Sequence, residues 1–254
     1  MILFVFEGEK REPDLFRTLQ RLYFPKDDEN IVCSFGNNIY ELYQELEDYG
    51  EDGDIVAIMK ERLADKEDNP LADIDRSSDF SEIYLFFDYD FQHKHLSLEE
   101  INSQIAEMLS MFNDETDRGK LYINYPMIES IRYTKELPDA SYQTYAVTRE
   151  ECCNFKALCD DFSAYPSLDF ILLKDEKPTK EKYLSVRDNW EYLKEQNVKK
   201  ANYICCGTLA YPLTKAVISQ DNIFQNQLSK FVNTDTPEVS ILNAFPLFLY
   251  EYFK

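Results

Sequence analysis

The apolar residues of this chain come first as short continuous runs and then with helical spacing. Ile2-Leu3-Phe4-Val5-Phe6 is a run with the length of a strand covered on both faces. Pro13 and Asp14 then open a helix whose apolar positions are Leu15, Phe16, Leu19, Leu22 and Tyr23. Residues 30–35 form a second strand-like run bounded by Gly36-Asn37-Asn38, followed by helices from Ile39 to Tyr49 and from Ile55 to about Leu63. The stretch from Ala64 to Ser81 reads as a loop. Ile83 to Phe87 repeats the character of a central parallel strand. Ser97, with Glu99 and Glu100 behind it, starts an amphipathic helix through Ile101, Ile105, Met108, Leu109 and Phe112. Leu121-Tyr122-Ile123 is a short strand ending at Asn124-Tyr125-Pro126. This alternation predicts an α/β fold, a mostly parallel sheet flanked by helices.

Beyond Tyr133 the pattern changes. Residues 149–163, 179–196, 208–232 and 238–253 read mainly as helices, without a strand as clear as those upstream. A stretch around 134–142 holds Pro138 and few apolar anchors, so the chain is divided into an α/β part, residues 1–133, and a mainly helical part, residues 134–254.

Composition narrows the class. Six glycines and ten prolines among 254 residues exclude a linker or low-complexity chain. The apolar runs are too short to span a bilayer, and residues 1–6 lead into acids without a basic segment, which predicts a cytoplasmic protein that does not enter a membrane. Six cysteines are then expected as reduced thiols, and Cys152-Cys153, Cys159 and Cys205-Cys206, which lack the spacing of a zinc ribbon, read as small buried ones. The net charge of −21 opposes unaided binding to a phosphate backbone. Much of it is local: Asp27-Asp28-Glu29, Glu47 to Asp54 and Asp65 to Asp79 read as solvated loops or helix faces.

Candidate chemistry gathers where two buried runs end. Glu7-Gly8 follows the first run and Asp88-Tyr89-Asp90 follows the run at 83–87. Open α/β sheets place ligands outside the carboxyl ends of their strands. Magnesium takes hard oxygen ligands and needs only a few carboxylates. Asp88 and Asp90, two apart, would share a face of a regular strand, and Glu7 would meet them from a neighbouring one. Glu9 and Glu12 could complete a second metal, and Lys10 could pair with a scissile phosphate. Such a cluster activates water and stabilises a phosphoryl transition state. His93 and His95 read as a solvated loop rather than a zinc pair.

The stretch Phe6-Glu7-Gly8-Glu9-Lys10-Arg11-Glu12-Pro13-Asp14-Leu15-Phe16, followed by Phe86-Phe87-Asp88-Tyr89-Asp90, resembles the TOPRIM domains of OLD-like and RloB-like bacterial defence proteins. The segment Asn124-Tyr125-Pro126-Met127-Ile128-Glu129 is similar to an Asn-Pro-x-x-Glu segment of those proteins, with Tyr125 interrupting the Asn-Pro pair. The resemblance covers residues 1–133. It implies a TOPRIM-like sheet and Mg2+- or Mn2+-dependent phosphodiester chemistry, in a nuclease acting in anti-phage defence with an ATPase partner. By position it makes Glu7 a metal ligand or general acid/base, Asp88 and Asp90 metal ligands, Glu12 the second acid of the first motif, and Glu129 the glutamate of the later segment. The long gap between Glu7 and Asp88 departs from a minimal TOPRIM domain and implies an insertion around residues 50–80.

With so acidic a chain, a structured RNA such as tRNA, or DNA delivered by a partner, is the expected substrate. The competing expectation is a non-catalytic acidic protein, a nucleic-acid mimic or a subunit of a larger complex. Its apolar C-terminal segment Ile241 to Phe253 would dock a partner or self-associate. Trp190, Tyr192 and the aromatics of 245–253 read as core or partner surface rather than base-stacking platforms.

Overall fold

The computed structural model describes residues 1–25, 29–50, 53–74 and 76–253. Asp27, Asp28, Glu51, Asp52 and Asp75 of the acidic runs lie outside the described residues. The chain is an α/β protein that divides into two compact units, Met1–Asp88 with Glu99–Tyr122, and Tyr89–Leu98 with Ile123–Lys254. These limits differ from the division expected at 133/134.

A five-stranded, mostly parallel sheet organises the first unit: β1 (Ile2–Phe6), β2 (Asn30–Ser34), β3 (Glu82–Asp88), β4 (Asn113–Asp114) and β5 (Gly119–Asn124), in the spatial order β2-β1-β3-β5-β4. β1 pairs in parallel with both β2 and β3, with Phe6 level with Ser34 on one side and Phe86 on the other. The two-residue β4 runs antiparallel to β5. Covering helices are α1 (Arg11–Tyr23), α2 (Ile39–Tyr49), α3 (Ile55–Arg62) and α4 (Leu98–Met111).

The apolar runs explain why β1 and β3 are central. Leu3 to Phe6 and Leu85 to Phe87 are fully buried, as strands covered on both faces must be. Phe4 lies 4.0 Å from Phe16 of α1, ring centre to ring centre, Phe6 lies 5.3 Å from Phe86, and Phe86 stacks 5.3 Å from Tyr122. This aromatic row crosses β1, β3 and β5 and seats α1 on the sheet. Gly119 has φ +121°, and a Cβ there would come within 2.8 Å of Leu85, so β5 enters the sheet only through a glycine. The helix limits follow local chemistry. Asn38 caps α2 by accepting from the N–H groups of Tyr40 and Glu41, and Asp54 caps α3 by accepting from Val56. Of the acidic runs, Glu47, Asp48, Asp65, Glu67, Asp68 and Asp73 are solvent-exposed.

The second unit is mainly helical, with α5 (Arg149–Cys152), α6 (Phe155–Phe162), α7 (Lys180–Cys206), α8 (Gln220–Gln227) and α9 (Ala244–Tyr252). It also holds a small antiparallel pair, β6 (Ala146–Thr148) with β7 (Glu238–Ser240), where the sequence predicts no strand and, over 238–240, a helix. Residues 208–214 are not helical either; Pro212 falls there. Trp190 is fully buried and donates its indole N–H to the Ile171 carbonyl at 3.0 Å. Phe245, Leu247, Phe248 and Leu249 of α9 are buried as well, so most of the segment expected to dock a partner is core of this unit.

Hydrogen bonds explain why residues 123–133 belong to this unit. Tyr125 and Leu242 exchange backbone hydrogen bonds at 2.8 and 3.1 Å. Asn124 Oδ1 accepts the Ala244 N–H at 2.9 Å, and Asn243 Nδ2 donates to Ser130 Oγ at 3.0 Å. Asn197 of α7 ties the seam to the long helix, since its Oδ1 accepts from both Tyr142 Oη and Asn243 N at 2.9 Å. The members are buried, and the backbone and amide groups named here pair with one another, which makes the network cooperative.

One buried group in this unit is expensive. Lys200 has no exposure, its Nζ donates to the Tyr145 carbonyl at 2.6 Å and lies 4.8 Å from the centre of the Tyr142 ring. Burial holds its pKa well below 10.5, against the opposing pull of the Asp139 carboxylate. The Tyr145 carbonyl also accepts from Ile241 N at 3.0 Å, so removing the ammonium leaves it partnered. Between the lowered folded pKa and 10.5 the unfolded chain carries the extra proton, so this group makes stability rise with pH; below the folded pKa its cost is fully present. Lys200→Met is therefore expected to stabilise the protein at neutral pH by about 1 kcal/mol or more, with the gain shrinking toward pH 10. Thermal melts across that range check this; a variant less stable than wild type throughout contradicts it.

Candidate metal centre

Strand order places the acids of the first unit. β1 leads through α1 to β2 on one side, while β3 leads through α4 to β5 on the other. The two connections leave in opposite directions, so the carboxyl ends of β1 and β3 meet at the reversal of strand order, where open α/β sheets generally bind ligands. Glu7 follows β1 and Asp88 closes β3. The Phe6–Phe86 register sets these ends side by side, and the Glu7 N–H donates to the Phe86 carbonyl at 3.0 Å. Glu7 Oε2 in turn accepts the backbone N–H of Asp88 at 2.9 Å. A charge-assisted bond of this kind contributes about 1.5–3 kcal/mol. Glu7 is half-buried and Asp88 is buried.

Glu12 stands in the first turn of α1 and is buried. Its Oε1 accepts the N–H of Gly8 at 3.2 Å, closing the turn between β1 and α1. Lys10 is the exposed residue at the entry to α1, and the exposed Glu9 pairs with Lys66 at 3.7 Å.

Asp90 departs from the expected strand geometry. β3 ends at Asp88, and Asp90 has φ +44°, a left-handed conformation that ends the alternation placing both aspartates on one face. Asp90 belongs to the second unit, where Gln92 Nε2 donates to its Oδ1 at 3.0 Å. Burial raises its pKa above the ordinary carboxylate value, opposed by the Gln92 hydrogen bond and the charges of His93 and Lys156. The loop carrying Asp90 is held by Arg149, a residue without a sequence signal of its own. Its guanidinium donates to the carbonyls of Phe91, His93 and Leu96 at 3.0, 3.1 and 3.3 Å. Glu129 is buried in the second unit with Lys156 Nζ 3.6 Å away. His93 is half-buried and His95 exposed, their rings 5.9 Å apart.

Among the described residues, no group of three or more histidine, cysteine, aspartate and glutamate side chains is arranged to hold a metal ion. Glu7 and Asp88 are the pair brought together in the first unit. No protein-family model, curated protein or solved structure matches the chain. No helix of the described residues is long and apolar enough to cross a membrane. Cys152 and Cys159 are the buried thiols that were expected; Cys33 is buried as well, and burial pushes it up to about 12, an unreactive value. Cys153 and Cys206 are exposed and Cys205 half-buried, contrary to that reading: Cys153 caps the C-terminus of α5, and Cys205 and Cys206 end α7.

The Gly8–Glu12 contact is tight. A Cβ on Gly8 would lie 2.6 Å from Glu12 Oε2 and 3.0 Å from Oε1, so the carboxylate would have to move. Gly8→Ala is expected to cost about 1–3 kcal/mol, and to cost less when Glu12 is already alanine. Denaturant unfolding of the two single variants and the double variant reads this coupling; additive losses would contradict it.

Proposed function

We propose that the chain is a TOPRIM-type nuclease dependent on Mg2+ or Mn2+, hydrolysing phosphodiester bonds in RNA such as tRNA, or in DNA, as an effector of bacterial anti-phage defence alongside an ATPase partner. The observation that carries this reading is the adjacency of Glu7 and Asp88 at a reversal of strand order. Magnesium is commonly held by one or two carboxylates, with substrate phosphate and water completing its shell, so this pair suits it. When bound, the ion would supply Lewis-acid stabilisation of the phosphoryl oxygens and lower the pKa of an attacking water. Glu7 and Asp88 are the proposed holders, with Glu12 of the same unit the further carboxylate implied by the resemblance. Glu7 also fixes the backbone of Asp88, and Lys10, exposed at the helix entry, is the proposed partner of the scissile phosphate. The net charge of −21 makes a metal or a partner necessary to bring a polyanion close.

The acidic binding protein is the second reading, favoured by that charge and by the hydrogen bonds that already engage Glu7 and Glu12. Cleavage assays separate the two. With tRNA and duplex DNA as substrates and Mg2+ or Mn2+ present, the nuclease reading expects cleavage that falls about 100-fold or more in Glu7→Gln and Asp88→Asn, whose melting temperatures stay near wild type. Glutamine at position 7 retains an acceptor for the Asp88 N–H, which alanine would not. Cleavage undiminished in both variants contradicts the reading.

A further inference from the structure

The sheet of the first unit ends on one side in β2, and the ladder between β1 and β2 fixes which way that strand presents its backbone. The Ile2 N–H donates to the Glu29 carbonyl at 3.0 Å, and the Phe35 N–H donates to the Phe6 carbonyl at 2.8 Å. Odd-numbered residues of β2 therefore bond to β1, and the peptide groups of Asn30, Val32 and Ser34 point away from the sheet. Among the described residues, nothing hydrogen-bonds to the N–H and C=O groups of those three. Their surroundings are open too: Asn30, Ile31, Val32 and Ser34 are half-buried, whereas Leu3 to Phe6 of the central β1 are fully buried.

Exposed edges are ordinarily blunted by shortness, charge or proline. The opposite edge of this sheet obeys that rule, since β4 has two residues and one is Asp114. β2 has five, Asn30-Ile31-Val32-Cys33-Ser34, none of them charged or proline. Its charges stand at the ends. Glu29, exposed and without an ion pair among the described residues, precedes the strand. At the other end the Arg62 guanidinium lies 3.8 Å from the centre of the Phe35 ring and donates to the Phe35 carbonyl at 3.1 Å. Arg62 also pairs with Glu45, and its side chain keeps 28% of its surface exposed. We propose that two copies of the chain join through β2, antiparallel and centred on Val32, into one continuous sheet. Asn30 then faces Ser34 of the other copy, Val32 faces Val32, and every outward N–H and C=O of these residues gains a partner. Each Glu29 meets the end of the other strand where Arg62 stands, a match of charge that a strand of unrelated sequence would lack. The proposal is independent of the nuclease reading.

Sedimentation equilibrium of the full chain over a range of concentrations is expected to show a monomer in exchange with a dimer. Val32→Lys sets two ammonium groups against each other at the centre of the pairing and is expected to weaken dimerisation about 100-fold or more, with an unchanged circular dichroism spectrum. Glu29→Lys reduces the general repulsion between two chains of net charge −21, yet is expected to weaken the dimer about threefold or more, because it brings a cation to Arg62 of the other copy. Should Val32→Lys fail to fold, hydrogen exchange on the wild type decides: the amides of Val32 and Ser34 gain protection as the concentration rises. A wild type that stays monomeric, dimerisation indifferent to Val32→Lys or not weakened by Glu29→Lys, or exchange at Val32 and Ser34 independent of concentration overturns the proposal.

Discussion

Strand β1 is hydrogen-bonded on both edges, and the first unit is built around that constraint. A central parallel strand must be apolar on both faces, and Leu3 to Phe6 meet that demand without a polar interruption. The demand ends where the strand ends, so the first residue free to carry charge is Glu7. In β3 the acid is the last residue of the strand itself, the buried Asp88. Because β2 and β3 lie on opposite sides of β1, the connections diverge and leave these two acids next to one another. The Glu7 carboxylate accepting the Asp88 N–H is the direct physical expression of that arrangement.

The second unit relies on a different device. α7 carries Asn197, Lys200 and Asn202 buried in its second half, and the segments 123–133 and 241–245 are joined through side-chain and backbone hydrogen bonds. A network of this kind specifies one arrangement of its members, since a partly satisfied one is costly in a low-dielectric interior.

Legibility in the sequence followed the strength of the local signal. α2 was readable to the residue because Asn38 caps it and Gly50 stops it, and β1 and β3 were readable as unbroken apolar runs. β4, β6 and β7 span two or three residues, too few for alternation to register. α7 was expected to stop at 196 but runs to Cys206, because its buried asparagines and lysine break the apolar periodicity. β7 was taken into a helix by the apolar residues that follow it. Within the candidate site, Glu7 and Asp88 were legible as strand ends. The pairing of Asp90 with Asp88 on one face was not, since it assumed a strand that continues, whereas the chain turns at Asp90 with φ +44°. The clamp by Arg149 has no sequence motif; a cluster of polar residues one turn apart inside a long helix is the faint signal that 196, 197 and 200 face inward.

Calorimetric titration of the full chain with Mg2+ and with Mn2+, beside Glu7→Gln and Asp88→Asn, tests the metal-centre account most directly. The account predicts saturable binding to the wild type that weakens by about tenfold or more in each variant while both remain folded. Binding indifferent to both substitutions, or none to the wild type, would contradict it.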